Sequence, residues 1–248
     1  MFRHLLVAAC ASLSAATVTA GEVQVAVASN FTAPMRRIAA AFEADTGHQA
    51  RLSFGSTGLF YAQVRNGAPF QVLLAADDET PAKLASEGFA AADSRFTYAT
   101  GRLVLWSARA GFVDDKGEVL SRGGFEKLAL ANPRLAPYGA AAMQTMTSLG
   151  VLDRLQPRFV QGENIAQAFQ FVSTGNAALG FIALSQVMQE GRITQGSAWI
   201  VPASFHAPLR QDAIILAKGA GNPAATALAN YLRGEKSRAI IRSFGYET

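Results

Sequence analysis

Cysteine is almost missing: the chain of 248 residues has one, Cys10. A single thiol excludes an intramolecular disulfide framework. Histidine is nearly as scarce, and beyond His4 only His48 and His206 remain, far apart in sequence. A metal site built from His and Cys is therefore not expected. Charged residues make up 16% of the chain, well below the roughly 25% of ordinary domains, while half the residues are apolar, which excludes disorder. The formal net charge is only +4 and no basic run reaches five residues, so there is no nucleic-acid footprint. The scattered cations give a mild bias toward anions. No short repeat runs through the sequence. Neither G-x-x-x-x-G-K-[ST] nor G-x-S-x-G occurs, which removes a nucleotide P-loop and a hydrolase nucleophile elbow.

What is present begins with a leader. Arg3 and His4 precede an apolar run over residues 5–16, and Val18, Thr19 and Ala20 place small residues where a signal peptidase reads. Residues 1–20 are expected to be a signal peptide cleaved after Ala20. The run is shorter than the roughly 20 residues a membrane-spanning helix needs. Cys10 leaves with it, and an exported chain without cysteine suits a bacterial periplasm.

The remainder alternates strands with helices. Strands are expected at 22–28, 49–54, 71–75, 102–107, 134–136, 159–160, 179–182, 199–201 and 213–216, from Val-rich alternation and short buried runs. Helices are expected at 34–45, 59–65, 80–87, 125–128, 139–155, 165–172, 184–189, 224–232 and 236–244. Pro34 and Pro223 suit first helical turns, Asn222 is an N-cap and Gly47 a stop. Such alternation implies an α/β fold with mostly parallel sheets flanked by helices. Two non-helical stretches, 98–101 and 204–210, are placed to be crossover strands joining two lobes. Lobe one would hold 21–101 plus 207–248, and lobe two 102–206.

Small hydroxyl and amide residues recur where strands pass into helices: Ser29-Asn30, Gly55-Ser56-Thr57-Gly58, Ala136-Pro137-Tyr138-Gly139 and Gly162-Glu163-Asn164-Ile165. In open α/β sheets ligands lie beyond the carboxyl ends of the strands. Helix N-termini there offer unpaired N–H groups and partial positive charge, and Ser and Thr add uncharged donors. Taken singly, each turn reads as an ordinary N-cap. Together they describe a site for a compact, desolvated oxyanion. Asp77-Asp78-Glu79 is a candidate Mg²⁺ or Ca²⁺ site, but reads more simply as an acidic helix start.

These blocks resemble the periplasmic molybdate-binding proteins of ABC transporters. The resemblance runs through Val25-Ala26-Val27-Ala28-Ser29-Asn30-Phe31, Phe54-Gly55-Ser56-Thr57-Gly58, Leu74-Ala75-Ala76-Asp77, Ala131-Asn132-Pro133, Ala136 to Gly139, Gly162 to Ile165 and Leu179-Gly180-Phe181-Ile182-Ala183. It covers the mature chain in order. It implies the two-lobed periplasmic binding protein fold of type II, with two crossover strands at the hinge. It also implies binding of molybdate or tungstate, delivery to a membrane permease, no cofactor, no catalysis and a monomeric chain. Carried over, the ligand contacts are the Ser29 hydroxyl and backbone, the Asn30 backbone, Ser56 and Thr57 hydroxyl and N–H groups, and the backbone N–H groups of Tyr138 and Ile165. Thr57 stands where many members have Ser. Ala183 stands where one branch has a contacting Tyr, and Gln71 replaces a usual Asp.

Other readings remain open on the residues alone. Sulfate, thiosulfate or phosphate are rival oxyanions. A hydrolase using Ser56 or Ser29 would need a base, and the four turns supply no His or Lys. An amino-acid binder would place an Arg–acid pair there, and a ferric-ion carrier a cluster of Tyr, His or carboxylates; the turns offer neither.

Overall fold

A computed structural model of the chain describes residues 20–248. The leader, with Arg3, His4 and Cys10, lies outside the described residues.

The strands are β1 Glu22–Ala28, β2 Gln49–Gly55, β3 Val72–Leu74, β4 Phe96–Gly101, β5 Leu103–Ser107, β6 Leu128–Ala131, β7 Phe159–Gly162, β8 Leu179–Ala183, β9 Met188–Gln189, β10 Arg192–Ile193, β11 Ser197–Ile200 and β12 Leu209–Ile215. The helices are α1 Thr32–Thr46, α2 Thr57–Arg65, α3 Glu79–Ser86, α4 Val119–Arg122, α5 Pro137–Ser148, α6 Leu152–Leu155, α7 Ile165–Ser173, α8 Pro223–Arg233 and α9 Glu235–Ser243. Two five-stranded sheets organise them, in the orders β2-β1-β3-β12-β4 and β11-β5-β8-β6-β7. The first sheet and its helices form lobe one, the second lobe two.

Strand alternation explains how each sheet is buried on both faces. In β1 and β3, Val23, Val25, Val27, Val72 and Leu74 pack with Phe31, Met35 and Ile38 of the α1 side and with Leu228 and Ile241 of α8 and α9. The intervening Ala26 and Leu73 pack with Phe60 of α2 and Leu84 of α3. Side chains at successive positions point to opposite faces, so a strand covered on both faces reads as a continuous apolar run. Lobe two repeats the plan: Leu103, Leu105, Leu128 and Phe181 pack with Ala142 and Met146 of α5, while Val104, Trp106 and Ile182 face Val172 of α7.

Each sheet is mixed. β1 pairs in parallel with β2 and β3, and β6 with β7 and β8. The strands next to the crossovers run antiparallel: β12 against β3 and β4, and β5 against β8 and β11. The reason is topological. The chain leaves lobe one through β4 and returns through β12, so the two segments run in opposite directions side by side.

Several local expectations are corrected. Residues 125–128 are not a helix: the helical turn is α4, started by Asp114, whose carboxylate accepts N–H bonds from Lys116, Glu118 and Val119. Residues 134–136 are not a strand. They form a turn in which Asn132 accepts from Arg134, Leu135 and Ala136, and the strand is the preceding apolar run β6. The expected helix 139–155 breaks at Gly150, which has φ of 66°. Residues 184–189 give one 3-10 turn and then a hairpin of β9 and β10, because Glu190-Gly191, both at positive φ, form a tight turn of the hairpin kind. The expectations at Gly47, Asn222 and Pro223 hold: Gly47 ends α1 in the left-handed region, and the Asn222 side chain accepts the Ala224 N–H at 2.9 Å.

Candidate ligand-binding site

The four turns meet. Ser29 follows β1, Ser56 follows β2, Ala136-Pro137-Tyr138 follow β6 and its turn, and Ile165 follows β7. Every one of the predicted contacts, Ser29, Asn30, Ser56, Thr57, Tyr138 and Ile165, lines one small cavity between the lobes, with Ala28, Gly55, Ala76, Ala136 and Pro137 completing the wall. No ionisable carboxylate, ammonium or guanidinium lines it. About 10 Å³ is open to the centre of a water-sized sphere, room for about one such sphere. The cavity is small and closely walled in this state.

Ser56 is the informative residue. It occupies the N-cap position of α2, yet its side chain makes no cap bond. Its Oγ is buried and has no hydrogen-bond partner among the described residues. A buried hydroxyl without a partner costs about 1–3 kcal/mol, so an ordinary cap does not account for it. Thr57 differs: its Oγ1 accepts the Ala76 N–H at 2.9 Å. Thr57, Tyr138 and Ile165 stand in the first turns of α2, α5 and α7, where backbone N–H groups lack an intrahelical acceptor. Asn164 caps α7 properly, accepting from Ala166 and Gln167, which directs its side chain to the helix and fixes the Ile165 N–H.

The side chains of Asn30 and Tyr138 turn away from the cavity into a buried network. Asn30 Nδ2 donates to Gln211 Oε1 at 2.9 Å and to Tyr246 Oη at 3.0 Å. Gln211 Nε2 donates to Tyr138 Oη at 3.1 Å, and Tyr98 Oη donates to Gln211 Oε1 at 2.9 Å. A Cβ at Gly101 would collide with the Tyr138 hydroxyl and the Gln211 amide, so a larger residue there would have to displace this network. Burial holds the Tyr98 and Tyr138 phenols well above their ordinary range and pushes Tyr246 up to about 12. The network is thus neutral at physiological pH, and both residues can offer only backbone groups to the cavity. Gln211 and Tyr246 escaped sequence reasoning. They are ordinary polar residues in a strand and near the C-terminus, and nothing local marks them.

The acidic trio has its helix-start role. Asp77 Oδ1 accepts the Thr80 N–H at 2.9 Å and Oδ2 accepts the Thr80 hydroxyl at 3.2 Å. Burial raises the Asp77 carboxyl to about 6, against partial compensation from the Thr80 bonds. No cluster able to hold a metal ion occurs among the described residues. Asp77, Asp78 and Glu79 line a larger neighbouring cleft of about 360 Å³, where their charge opposes an anion. His206 is half-buried and its Nδ1 lies 2.8 Å from the Ala207 carbonyl, whereas His48 is buried and accepts the Gly21 N–H. Neither lines the cavity or approaches Ser29 or Ser56.

Comparison with known proteins places the chain in a family. Residues 23–247 fit the family of bacterial extracellular solute-binding proteins. A molybdate-binding protein of Azotobacter vinelandii is 57% identical over 98% of this chain and 96% of its own length. The chain belongs to this family. The molybdate-binding protein of Rhodobacter capsulatus is 49% identical, over 92% of this chain and 89% of its own. Among solved structures, the Azotobacter vinelandii periplasmic molybdate-binding protein superposes with a TM-score of 0.89 at 42% identity, covering 91% of this chain and 99% of that one. The sulfate-binding protein of Mycobacterium tuberculosis has a TM-score of 0.73 at 13% identity over 91% of this chain and 86% of its own, which shows the shared fold alone. These relatives are named as binding proteins.

Proposed function

We propose that the chain binds molybdate, and tungstate equally in kind, in the cavity lined by Ser29, Asn30, Ser56, Thr57, Tyr138 and Ile165, and delivers it to the membrane permease of an ABC transporter. The observation that carries this reading is the unpartnered Ser56 hydroxyl, buried in a cavity whose other polar groups are also neutral donors. A tetrahedral dianion leaving water needs comparable hydrogen bonds inside, and bonds to an ionic acceptor are the stronger kind. First-turn N–H groups and hydroxyls supply them without fixed positive charge. Rigid backbone donors set the cavity radius and so separate the larger molybdate and tungstate from sulfate. The cavity has no carboxylate to accept the O–H of a protonated phosphate, which would be left unpaired.

Donors from both lobes make the bound state favour closure, with lobe one spanning 21–101 plus 207–248 and lobe two 102–206. A permease reads that difference between states. The chain works as a monomer in the periplasm after removal of residues 1–20. Calorimetric titration of the ligand-stripped protein with molybdate, tungstate, sulfate and phosphate at one pH and salt tests the reading. Tight binding of the first two alone supports it; silence toward all four overturns it.

A further inference from the structure

Two hydrogen bonds join the lobes directly on either side of the cavity, and neither donor lines it. On one side the Gly58 N–H, in the first turn of α2, donates to the Leu135 carbonyl of lobe two at 2.9 Å. Gly58 directly follows Thr57, and Leu135 directly precedes Ala136, so the bond fastens one ligand turn to another. The approach is close: a Cβ at Gly58 would lie 3.0 Å from Leu135 Cα and 3.2 Å from its carbonyl oxygen. On the other side Ser185 of lobe two, in the 3-10 turn after β8, donates its hydroxyl to the Asn30 carbonyl of lobe one at 2.8 Å. That bond is buried, and Tyr246 Oη lies 2.9 Å from the same carbonyl and 3.0 Å from Ser185 Oγ. Gly58, Leu135 and Ser185 are absent from the cavity wall.

We propose that Gly58 and Ser185 are positioning residues that form the latch of lobe closure: each makes its bond only when the lobes meet, and together they hold the two sets of donors at anion distance. This rests on the oxyanion-binding reading. The crowding at Gly58 comes from the partner lobe, not from its own helix: a Cβ there would press on Leu135. Gly58 is not among the glycines with positive φ, and an exposed helical glycine is less favourable than alanine by about 1 kcal/mol. Lobe one alone would therefore favour a larger residue there. Ser185 completes the opposite side, and Tyr246 keeps the Asn30 carbonyl satisfied when the serine hydroxyl is gone.

The test uses the exported chain as wild type, Gly58→Ala, Gly58→Val, Ser185→Ala and Ser185→Thr. Each is titrated with molybdate, melted without ligand and measured by small-angle scattering with and without molybdate. Wild type is expected to bind and to become more compact. Gly58→Val and Ser185→Ala are expected to lose at least tenfold in affinity and most of the compaction, with ligand-free melting within a few degrees of wild type. Gly58→Ala should melt no lower than wild type and bind more weakly, and Ser185→Thr should restore binding. If the variants bind and compact as wild type does, the latch is overturned while the oxyanion reading stands. Affinity losses that merely follow losses of ligand-free stability also overturn it. A wild type that ignores molybdate overturns both.

Discussion

Thr57 Oγ1 accepts the Ala76 N–H at 2.9 Å, which leaves its single hydroxyl hydrogen free to donate elsewhere. The same bond ties the start of α2 to the chain following β3, so Thr57 braces the cavity wall while its hydroxyl hydrogen stays available to the proposed anion. Replacement by Ser keeps both roles and should leave affinity for molybdate within a few-fold. Replacement by Val keeps the shape but removes donor and acceptor. Titration should show a loss of about 1–3 kcal/mol, the range for a hydrogen bond to a charged group. An unchanged affinity in Thr57→Val would remove Thr57 from the site.

Ser56 makes a prediction of two signs. Ser56→Ala deletes a buried hydroxyl that has no partner among the described residues, so the ligand-free protein should melt higher than wild type. The same change deletes a donor to the anion, so binding should weaken by about tenfold or more. A serine serving only as a helix cap would show the reverse: lower melting and unchanged binding.

Asp77 gives a pH dependence. Burial raises its carboxyl from 3.8 to about 6 in the folded protein. Between these values the folded chain holds a proton that the unfolded chain has released. The stabilisation is fully present below about pH 4 and is lost as pH rises to about 6. At about 1.4 kcal/mol per unit, the loss is on the order of 2–3 kcal/mol. Asp77→Asn retains an acceptor for the Thr80 N–H without the charge. Denaturant unfolding should find the variant gaining on wild type by that order between pH 4 and pH 8. A stability difference that stays constant with pH would contradict the assignment.

Asn164 tests whether helix starts set the donors. Its side chain accepts from Ala166 and Gln167 at 3.0 and 3.2 Å. Asn164→Ala should cost about 1 kcal/mol of stability. It should also weaken molybdate binding, because the Ile165 N–H loses its fixed direction. Asn164→Asp, which keeps the cap, should recover the stability; its added negative charge near the cavity should leave binding impaired.

The site was legible in the sequence because its chemistry is local. Ser29, Ser56 and Ile165 each follow a strand and open a helix, Tyr138 opens one after a turn, and each conjunction is written in four or five adjacent letters. Caps and stops such as Asn222 and Gly47 are readable for the same reason. The network behind the site was not legible. Asn30 meets Gln211 and Tyr246 across 181 and 216 positions of chain, and no local pattern distinguishes a glutamine that bridges two lobes from one facing solvent. The errors at 125–128 and 134–136 share one origin. In short segments an Asp or Asn that gathers several backbone N–H groups, through its carboxylate or through its amide oxygen and carbonyl together, outweighs the apolar spacing. Asp114 and Asn132 do this, and they moved a helix and a strand by several residues.

The two connections between the lobes have one further consequence. β4 and β12 remain paired up to Gly101 and Leu209, and on the other side the Val201 N–H donates to the Leu103 carbonyl at 3.0 Å. Arg102 alone separates β4 from β5, while residues 201–208 separate β11 from β12. The one-residue span is the tighter constraint, while the longer one is held to lobe two by the Val201 bond, the Ala207 N–H to Gln144 Oε1 and the packing of Phe205. Any change in the angle between the lobes must therefore be taken up on that side within the backbone of Arg102 and its immediate neighbours.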